Sequence, residues 1–199
     1  MASTVLTLMT KYYLQLKAKV RLAVLLITLL SVANFSNAMD QAKESEKVMA
    51  AFLMHFTGYT VWPGEPLSQI NVCLFGEVSF DSFIKSMVKA KPNNRLGQRL
   101  HVTYLENAQQ LAHCQVAFVS QSKAKEAIAH RDIHQLSVLL VSNTKGFISE
   151  GGMINFFNEN QKIRFEVCLD KLEEADIKIS AELLRLAVIS RQHSEVSAP

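Results

Sequence analysis

The most reactive side chains of the sequence are three cysteines, Cys73, Cys114 and Cys168. In an oxidising compartment two of them would form one disulfide, and the third would remain a free thiol. Cys73 lies within 70–75, a predicted strand, and Cys114 immediately precedes a second predicted strand, 115–119. Two strands of one sheet could bring these cysteines together, and a bridge between them would stabilise the fold by about 4 kcal/mol in the chain-entropy model. The alternative at this point is three buried free thiols.

The histidines are candidates for metal binding. His130 and His134 have the spacing of two ligands on one helix face, and His113 adjoins Cys114. A metal centre needs a third and a fourth ligand, and no spacing in the sequence supplies them. We therefore predict surface histidines and no metal site.

Motifs for catalysis are missing from the sequence. Its glycines match neither a dinucleotide-binding loop nor a phosphate-binding loop, and its serines do not form a nucleophile elbow. A secreted hydrolase would depend on scattered Ser, His and Asp residues that no spacing brings together. We predict no catalytic residue and no cofactor.

Two arginines are candidates for ligand contact. Arg164 alternates with apolar residues along a predicted strand, and Arg185 lies within an apolar helical run. An arginine in such surroundings needs a carboxylate or carbonyl oxygens as partners. Glu166 or Glu182 would provide a structural ion pair, whereas an anion-binding pocket near Phe147 would make the arginines ligand-binding residues.

Four aromatic residues form a second candidate group. Phe52, Phe56, Tyr59 and Trp62 fall near helical spacing and end at Pro63. This pattern favours the core of the fold, and the alternative is an exposed patch that contacts a partner protein.

The first 38 residues have the pattern of a secretory signal peptide. Four basic and no acidic residues precede the largely apolar run 22–33, and Ser36-Asn37-Ala38 resembles a cleavage site. An uncleaved membrane anchor is the alternative, but a spanning helix needs about 20 apolar residues. Removal of this leader would leave 17 basic and 18 acidic residues, a net charge of −1 that does not indicate nucleic-acid binding.

The remaining elements alternate in type. A helix is predicted over 42–59, and Ser180 is a predicted N-cap of a closing helix that includes Leu183 to Ile189 and reaches back towards Asp170. Between them lie predicted strands at 70–75, 100–105, 115–119 and 137–142, helices at 79–90, 106–112 and 121–131, and an antiparallel hairpin of 153–157 with 162–167. These elements predict one α/β domain over 39–191, with a mostly parallel mixed sheet and helices on both faces, followed by a flexible tail at 192–199.

Six segments of the sequence, taken in order, carry a recognisable set of motifs: 48–63, 70–76, 113–119, 138–154, 163–167 and 180–187. The first segment contains Phe52 and ends in Trp62-Pro63, and the fourth contains a Gly-Gly-Met-Ile run at 151–154. Over residues 46–190 the sequence thereby resembles the YfiR family of YfiR/HmsC-like periplasmic proteins, which has a similar opening signature and the same Gly-Gly-Met-Ile run.

The resemblance implies a non-enzymatic periplasmic regulator that represses an inner-membrane diguanylate cyclase by binding its periplasmic sensory region. Repression would lower cyclic di-GMP and biofilm formation, and an OmpA-like outer-membrane lipoprotein could sequester the regulator. The family also implies a homodimer. The alternative is a periplasmic small-ligand sensor that feeds a histidine kinase.

The cysteines both support and limit the resemblance. A cysteine pair at the positions of Cys73 and Cys114 occurs in the family, which implies a disulfide between them. Cys168 stands where the family commonly has asparagine, so a free thiol replaces an amide. A second cysteine pair, which some members carry around the 151–154 segment, is missing, so redox behaviour tied to that pair is not expected.

Overall fold

The structure, a computed structural model, describes residues 17, 21, 39–130 and 136–191. The predicted signal peptide, apart from the helical Lys17 and Arg21, and the predicted tail lie outside the described residues. The chain divides into two compact units, Met1–Glu44 and Ser45–Pro199. The sheet and all helical residues after Glu44 belong to the second unit.

The second unit is built on a mixed sheet. The strands are β1 (Thr60–Val61), β2 (Gln69–Phe75), β3 (Arg99–Leu105), β4 (Val116–Val119), β5 (Leu139–Ser142), β6 (Ile154–Glu159), β7 (Lys162–Cys168), β8 (Lys178–Ile179) and β9 (Val188–Ser190). Seven of them form a sheet in the order β3-β2-β4-β5-β6-β7-β9, and β1 pairs with β8 in a separate antiparallel ribbon. Strands β2 to β6 are parallel to one another, which confirms the predicted fold class.

Helices cover the sheet. They are α1 (39–59), α2 (Asp81–Ala90), α3 (Ala124–Ile128), α4 (Leu169–Glu174) and α5 (Ala181–Leu184), together with a 3₁₀ helix at Ala108–His113. Every residue of β4 and of β5 is buried, which requires that both faces of the sheet be covered. Helix α1 buries Ala50, Leu53 and Phe56 completely, at the three-residue spacing of one helix face.

The hairpin of β6 and β7 is confirmed, and its turn explains its register. Glu159 pairs with Lys162, so only two residues, Asn160 and Gln161, connect the strands. Both have positive φ values, 50° and 64°, as a type I′ turn requires. This turn brings Phe156 opposite Phe165, and both rings pack against Phe56 of α1 at centroid distances of 5.8 and 5.3 Å.

The predicted closing helix is wrong in its extent. After Ser180 only Ala181–Leu184 is helical, and Val188–Ser190 forms strand β9, parallel to β7. Asp176 has a φ of 51°, which interrupts helical backbone between α4 and β8, so the helix does not reach back to Asp170. The open side of β7 offers unpaired backbone groups, and pairing with the β-branched Val188 and Ile189 overrides the weak helical preference of this segment.

The predicted N-cap at Ser180 is confirmed, and it yields a testable expectation. The Ser180 side chain accepts a hydrogen bond from the Leu183 backbone N–H at 3.3 Å. Ser180→Ala should therefore lower the free energy of unfolding by about 1 kcal/mol. Urea denaturation would measure this loss, and Ser180→Asn, which retains a capping acceptor, should recover most of it. A stability of Ser180→Ala equal to that of the wild type would contradict the role of the cap.

Candidate functional site

The disulfide predicted from the sequence is present. Cys73 of β2 and Cys114, just before β4, are bonded and lie 41 residues apart in the chain, with their Cα atoms 5.9 Å apart. Cys168, at the end of β7, is a buried free thiol. The bridge thus joins neighbouring strands on one side of the sheet, and the third cysteine lies several strands away.

The four candidate aromatic residues line the core and its rim. Phe56 and Trp62 are buried, and Phe52 and Tyr59 are partly buried and pack against the core. The Trp62 Nε1–H group donates a hydrogen bond to the Gln115 carbonyl oxygen at 3.0 Å. Trp62 therefore anchors the chain after α1 to the start of β4, and only Phe52 and Tyr59 present surface to a partner.

The structure does not bring Phe147, Arg164 and Arg185 into one open pocket. Phe147 is fully buried, so its ring has no surface available to a ligand. Arg164 forms an exposed ion pair with Glu159 of the same hairpin at 3.7 Å. Arg185 is exposed at the end of α5. A role of these three residues in ligand binding stays a prediction.

Two of the three histidine candidates, His113 and His130, lie in the described residues, and His130 is partly buried. His113 is exposed at the end of the 3₁₀ helix, and His134 lies outside the described residues. Among the described residues no three His, Cys, Asp or Glu side chains are grouped as metal ligands would be.

A groove of about 290 Å³ lies between α1 and the connection from α2 to β3. We call it the α1 groove. Two basic side chains, Lys91 and Arg95, line it, and His55 and Tyr59 of α1 form its opposite wall. The Arg95 guanidinium lies over the Tyr59 ring, 4.1 Å from the ring centroid. Its full lining is Ala51, Met54, His55, Gly58, Tyr59, Met87, Lys91, Asn93, Asn94, Arg95 and Leu100.

A second surface lies at the C-terminal end of the described chain. Leu186, Val188 and Ile189 are exposed by 56, 42 and 44%, and we call these three residues the C-terminal apolar patch. Leu186 also lines a cavity of about 280 Å³ with Phe52 of α1 and Leu183 of α5. Exposed apolar side chains next to a concave surface are typical of protein contact sites.

The pKa of the Asp81 carboxyl group, on the surface, is lowered by its neighbours. The Lys85 ammonium donates to Asp81 at 3.1 Å and lowers the pKa of that carboxyl group, whereas partial burial raises this pKa. The Tyr104 hydroxyl also donates to Asp81, at 3.0 Å, and lowers the pKa further. The group is a satisfied partner of an exposed lysine and tyrosine beside the edge strand β3, and this arrangement does not indicate acid–base catalysis.

A sequence profile described as YfiR/HmsC-like matches residues 46–188, which is nearly all of the second compact unit. The chain belongs to the YfiR/HmsC-like family. Members of this family are periplasmic regulators and not enzymes, and they act through a partner. Within the described residues of this YfiR/HmsC-like chain, no helix has the length and apolar character needed to cross a membrane.

Solved structures with a similar arrangement are distant in sequence. A conserved domain protein from Vibrio cholerae is similar with a TM-score of 0.50 at 8% identity, over 74% of this chain and 60% of that chain. The ABC domain from Streptococcus pneumoniae, solved in complex with L-Trp, has a TM-score of 0.44 at 8% identity, over 73% of this chain and 61% of its own. The likeness to the Vibrio protein shows the fold alone. No curated protein matches the chain significantly.

Sequence reasoning missed the α1 groove. Arg95 follows an Asn-Asn pair between Pro92 and Gly97, a composition typical of a loop. Gly58 lies one residue before the end of the helix predicted over 42–59, and α1 does continue through residue 59. A glycine inside a helical pattern can also mark the close approach of another segment, and that is the signal that could have found this site.

Proposed function

We propose that this YfiR/HmsC-like protein is a periplasmic, non-enzymatic regulator that represses an inner-membrane diguanylate cyclase. It binds the periplasmic sensory region of the cyclase and thereby lowers cyclic di-GMP and biofilm formation. The observation that carries the proposal is the family match over residues 46–188.

Export is part of the proposal. The predicted signal peptide at residues 1–38 would deliver the domain to the periplasm, where the bond between Cys73 and Cys114 is stable. A periplasmic protein cannot touch a cytoplasmic catalytic domain, so its effect must pass through a membrane-spanning partner. On the strength of the family resemblance, we also propose a homodimer and sequestration by an OmpA-like outer-membrane lipoprotein.

The C-terminal apolar patch is the surface that we assign to the cyclase. Its three side chains are exposed, and the cavity beside Leu186 offers a pocket for an apolar side chain of the partner. Interfaces of this kind depend on a few anchors that fill pockets. Repression needs tighter binding to the inactive state than to the active state, and a shift from 1:99 to 99:1 needs about 5.5 kcal/mol of difference.

Deletion of the gene is expected to raise cellular cyclic di-GMP and biofilm mass, and a wild-type copy should lower both again. A copy that carries Leu186→Glu should fail to lower them, because a carboxylate would have to be buried against the partner. Loss of such an anchor costs on the order of 2 kcal/mol, or about 30-fold in affinity. Binding of the purified protein to the periplasmic region of the cyclase would measure that loss directly.

Leu96→Glu is the matched control. Leu96 is exposed by 55%, almost as much as Leu186, but it lies in the connection between α2 and β3 and belongs neither to the patch nor to the lining of the cavity beside Leu186. This variant should repress the cyclase like the wild type. Unchanged cyclic di-GMP and unchanged biofilm after gene deletion would contradict the proposed regulatory function. Equal effects of Leu186→Glu and Leu96→Glu would contradict only the assignment of the C-terminal apolar patch as the contact surface.

A further inference from the structure

We propose that the α1 groove is a binding site for a small monocarboxylic acid with an apolar tail. The regulator's proposed contact with its partner does not require such a site. The groove does not include the C-terminal apolar patch, although His55 and Tyr59 also line the cavity beside Leu186. The proposal rests on the charge of the groove, the way its basic side chain is held, and the nature of its floor.

The charge of the groove favours an anion. Its lining contains Lys91 and Arg95 and no acidic residue. Glu182 does approach the Arg95 Nη1 atom, at 3.5 Å, but both side chains are about half exposed, so the pair contributes little. A guanidinium group has five N–H donors, and this contact uses one of them. The remaining donors can pair with a carboxylate, which is the partner that the planar guanidinium matches best.

Arg95 is held in place before any ligand arrives. Its guanidinium stacks on Tyr59, and its aliphatic stem crosses α1 at Gly58, where a Cβ atom would lie 2.6 Å from Arg95 Cγ. A stacked, sterically confined arginine loses less conformational entropy on binding than a mobile surface side chain. The positive charge therefore has a fixed position at the mouth of the groove.

The wall that carries Arg95 is fastened to α1 by the neighbouring residue. The Asn94 amide nitrogen donates to the Thr57 carbonyl oxygen at 2.8 Å and to Gln98 Oε1 at 2.7 Å. Its amide oxygen accepts from the backbone N–H groups of Leu96 and Gln98 at 2.9 and 3.1 Å. The buried Asn94 thus uses its full hydrogen-bonding capacity to fix the loop, and the groove is formed in the absence of a ligand.

The floor of the groove is apolar and adaptable. It is lined by Met54, Met87 and Leu100 together with Ala51. Methionine side chains can rearrange around ligands of different shape. A volume of 290 Å³ is near the lower limit for small-molecule sites, so a single short alkyl or aryl acid fits the space better than a peptide or a large cofactor.

Octanoate is the probe that we would use. Octan-1-ol is the control that has the same alkyl chain without the charge, and acetate is the control that has the charge without the alkyl chain. Isothermal titration of the protein purified after export should detect octanoate binding, and octan-1-ol should bind at least about tenfold more weakly. Arg95→Gln should weaken octanoate binding about tenfold, because one charge-assisted contact is lost. Arg191→Gln, which removes an exposed arginine that does not line the groove, should leave the affinity unchanged.

Three results would overturn the proposal. They are equal binding of octan-1-ol and octanoate, unchanged affinity of Arg95→Gln, and no octanoate binding at about 10 mM. Binding of an acidic peptide without binding of octanoate would likewise count against a small-molecule site. Because Arg95 is about half exposed, its glutamine variant should fold normally, and thermal unfolding would verify this. Gly58→Ala, which displaces the Arg95 stem, should also weaken octanoate binding if the variant remains folded.

Discussion

Replacement of both Cys73 and Cys114 by alanine is expected to lower the free energy of unfolding by about 4 kcal/mol. The bond closes a loop of 41 residues, and the entropy that a cross-link removes from the unfolded chain grows with the logarithm of loop length. The loop contains α2, β3 and the 3₁₀ helix. Loss of the bond therefore increases the conformational freedom of this whole segment in the unfolded state. For a domain whose total stability is on the order of 10 kcal/mol, this is a large fraction.

Urea denaturation of the wild type and the double variant would measure the difference. Wild-type protein treated with a reductant should approach the stability of the double variant. Cys168→Ala, which removes a buried thiol but no bridge, is the control and should cost no more than about 1 kcal/mol. A double variant within about 1 kcal/mol of the wild type would contradict the entropic role of the bond. Peptide mapping that finds Cys168 bonded to either partner would contradict the pairing itself.

Gly152→Ala is expected to lower the free energy of unfolding by about 3 kcal/mol, because there is no room for a methyl group. A Cβ atom at this position would overlap the ring of Phe147, which is fully buried. Because the ring is enclosed by the core, either the backbone before β6 or the core around Phe147 must shift. The close approach of the ring is a physical reason for the second glycine of the Gly-Gly-Met-Ile run.

A second glycine, Gly64, provides the control that distinguishes steric overlap with a neighbouring side chain from backbone strain. Gly64 has a φ of 89° and open space around its Cα, so Gly64→Ala should cost only the strain of the left-handed region, about 1 kcal/mol. In the Gly152→Ala background, Phe147→Leu should recover part of the loss, because a smaller side chain makes room. Such a double-mutant cycle should show a coupling of at least about 1 kcal/mol. Independent, additive effects of the two substitutions would show that the overlap is not the cause.

Sequence patterns predicted the parallel half of the fold well because local signals and tertiary structure agree there. The runs 72–75, 116–119 and 139–141 are continuously apolar, and each lies in a part of a strand where every residue is buried. The hairpin was predictable because a polar turn separates two alternating runs. The segment after Leu184 was not, because its spacing fits a helix and its conformation is set by the free side of β7.

The same distinction between local signals and tertiary packing explains which candidate sites could be predicted from the sequence. The disulfide could be anticipated because Cys73 and Cys114 lie in or beside predicted strands, and because the family resemblance implies a bridge between these two positions. The α1 groove could not, because Tyr59 and Arg95 are far apart in the sequence and meet only through the packing of the α2–β3 connection on α1. The burial of Phe147 could not be predicted from the sequence for the same reason, since it depends on packing against Gly152 and the surrounding core.

The hydrogen bond of Trp62 has an experimental consequence. Trp62 is the only tryptophan of the sequence, it is buried, and its indole N–H bonds to the backbone one residue after Cys114. Intrinsic fluorescence of the protein therefore reports on one spot, the junction of α1, β2 and β4 beside the disulfide. The aromatic ring of the α1 groove is a tyrosine, so the emission of Trp62 follows opening of this junction separately from occupation of the groove.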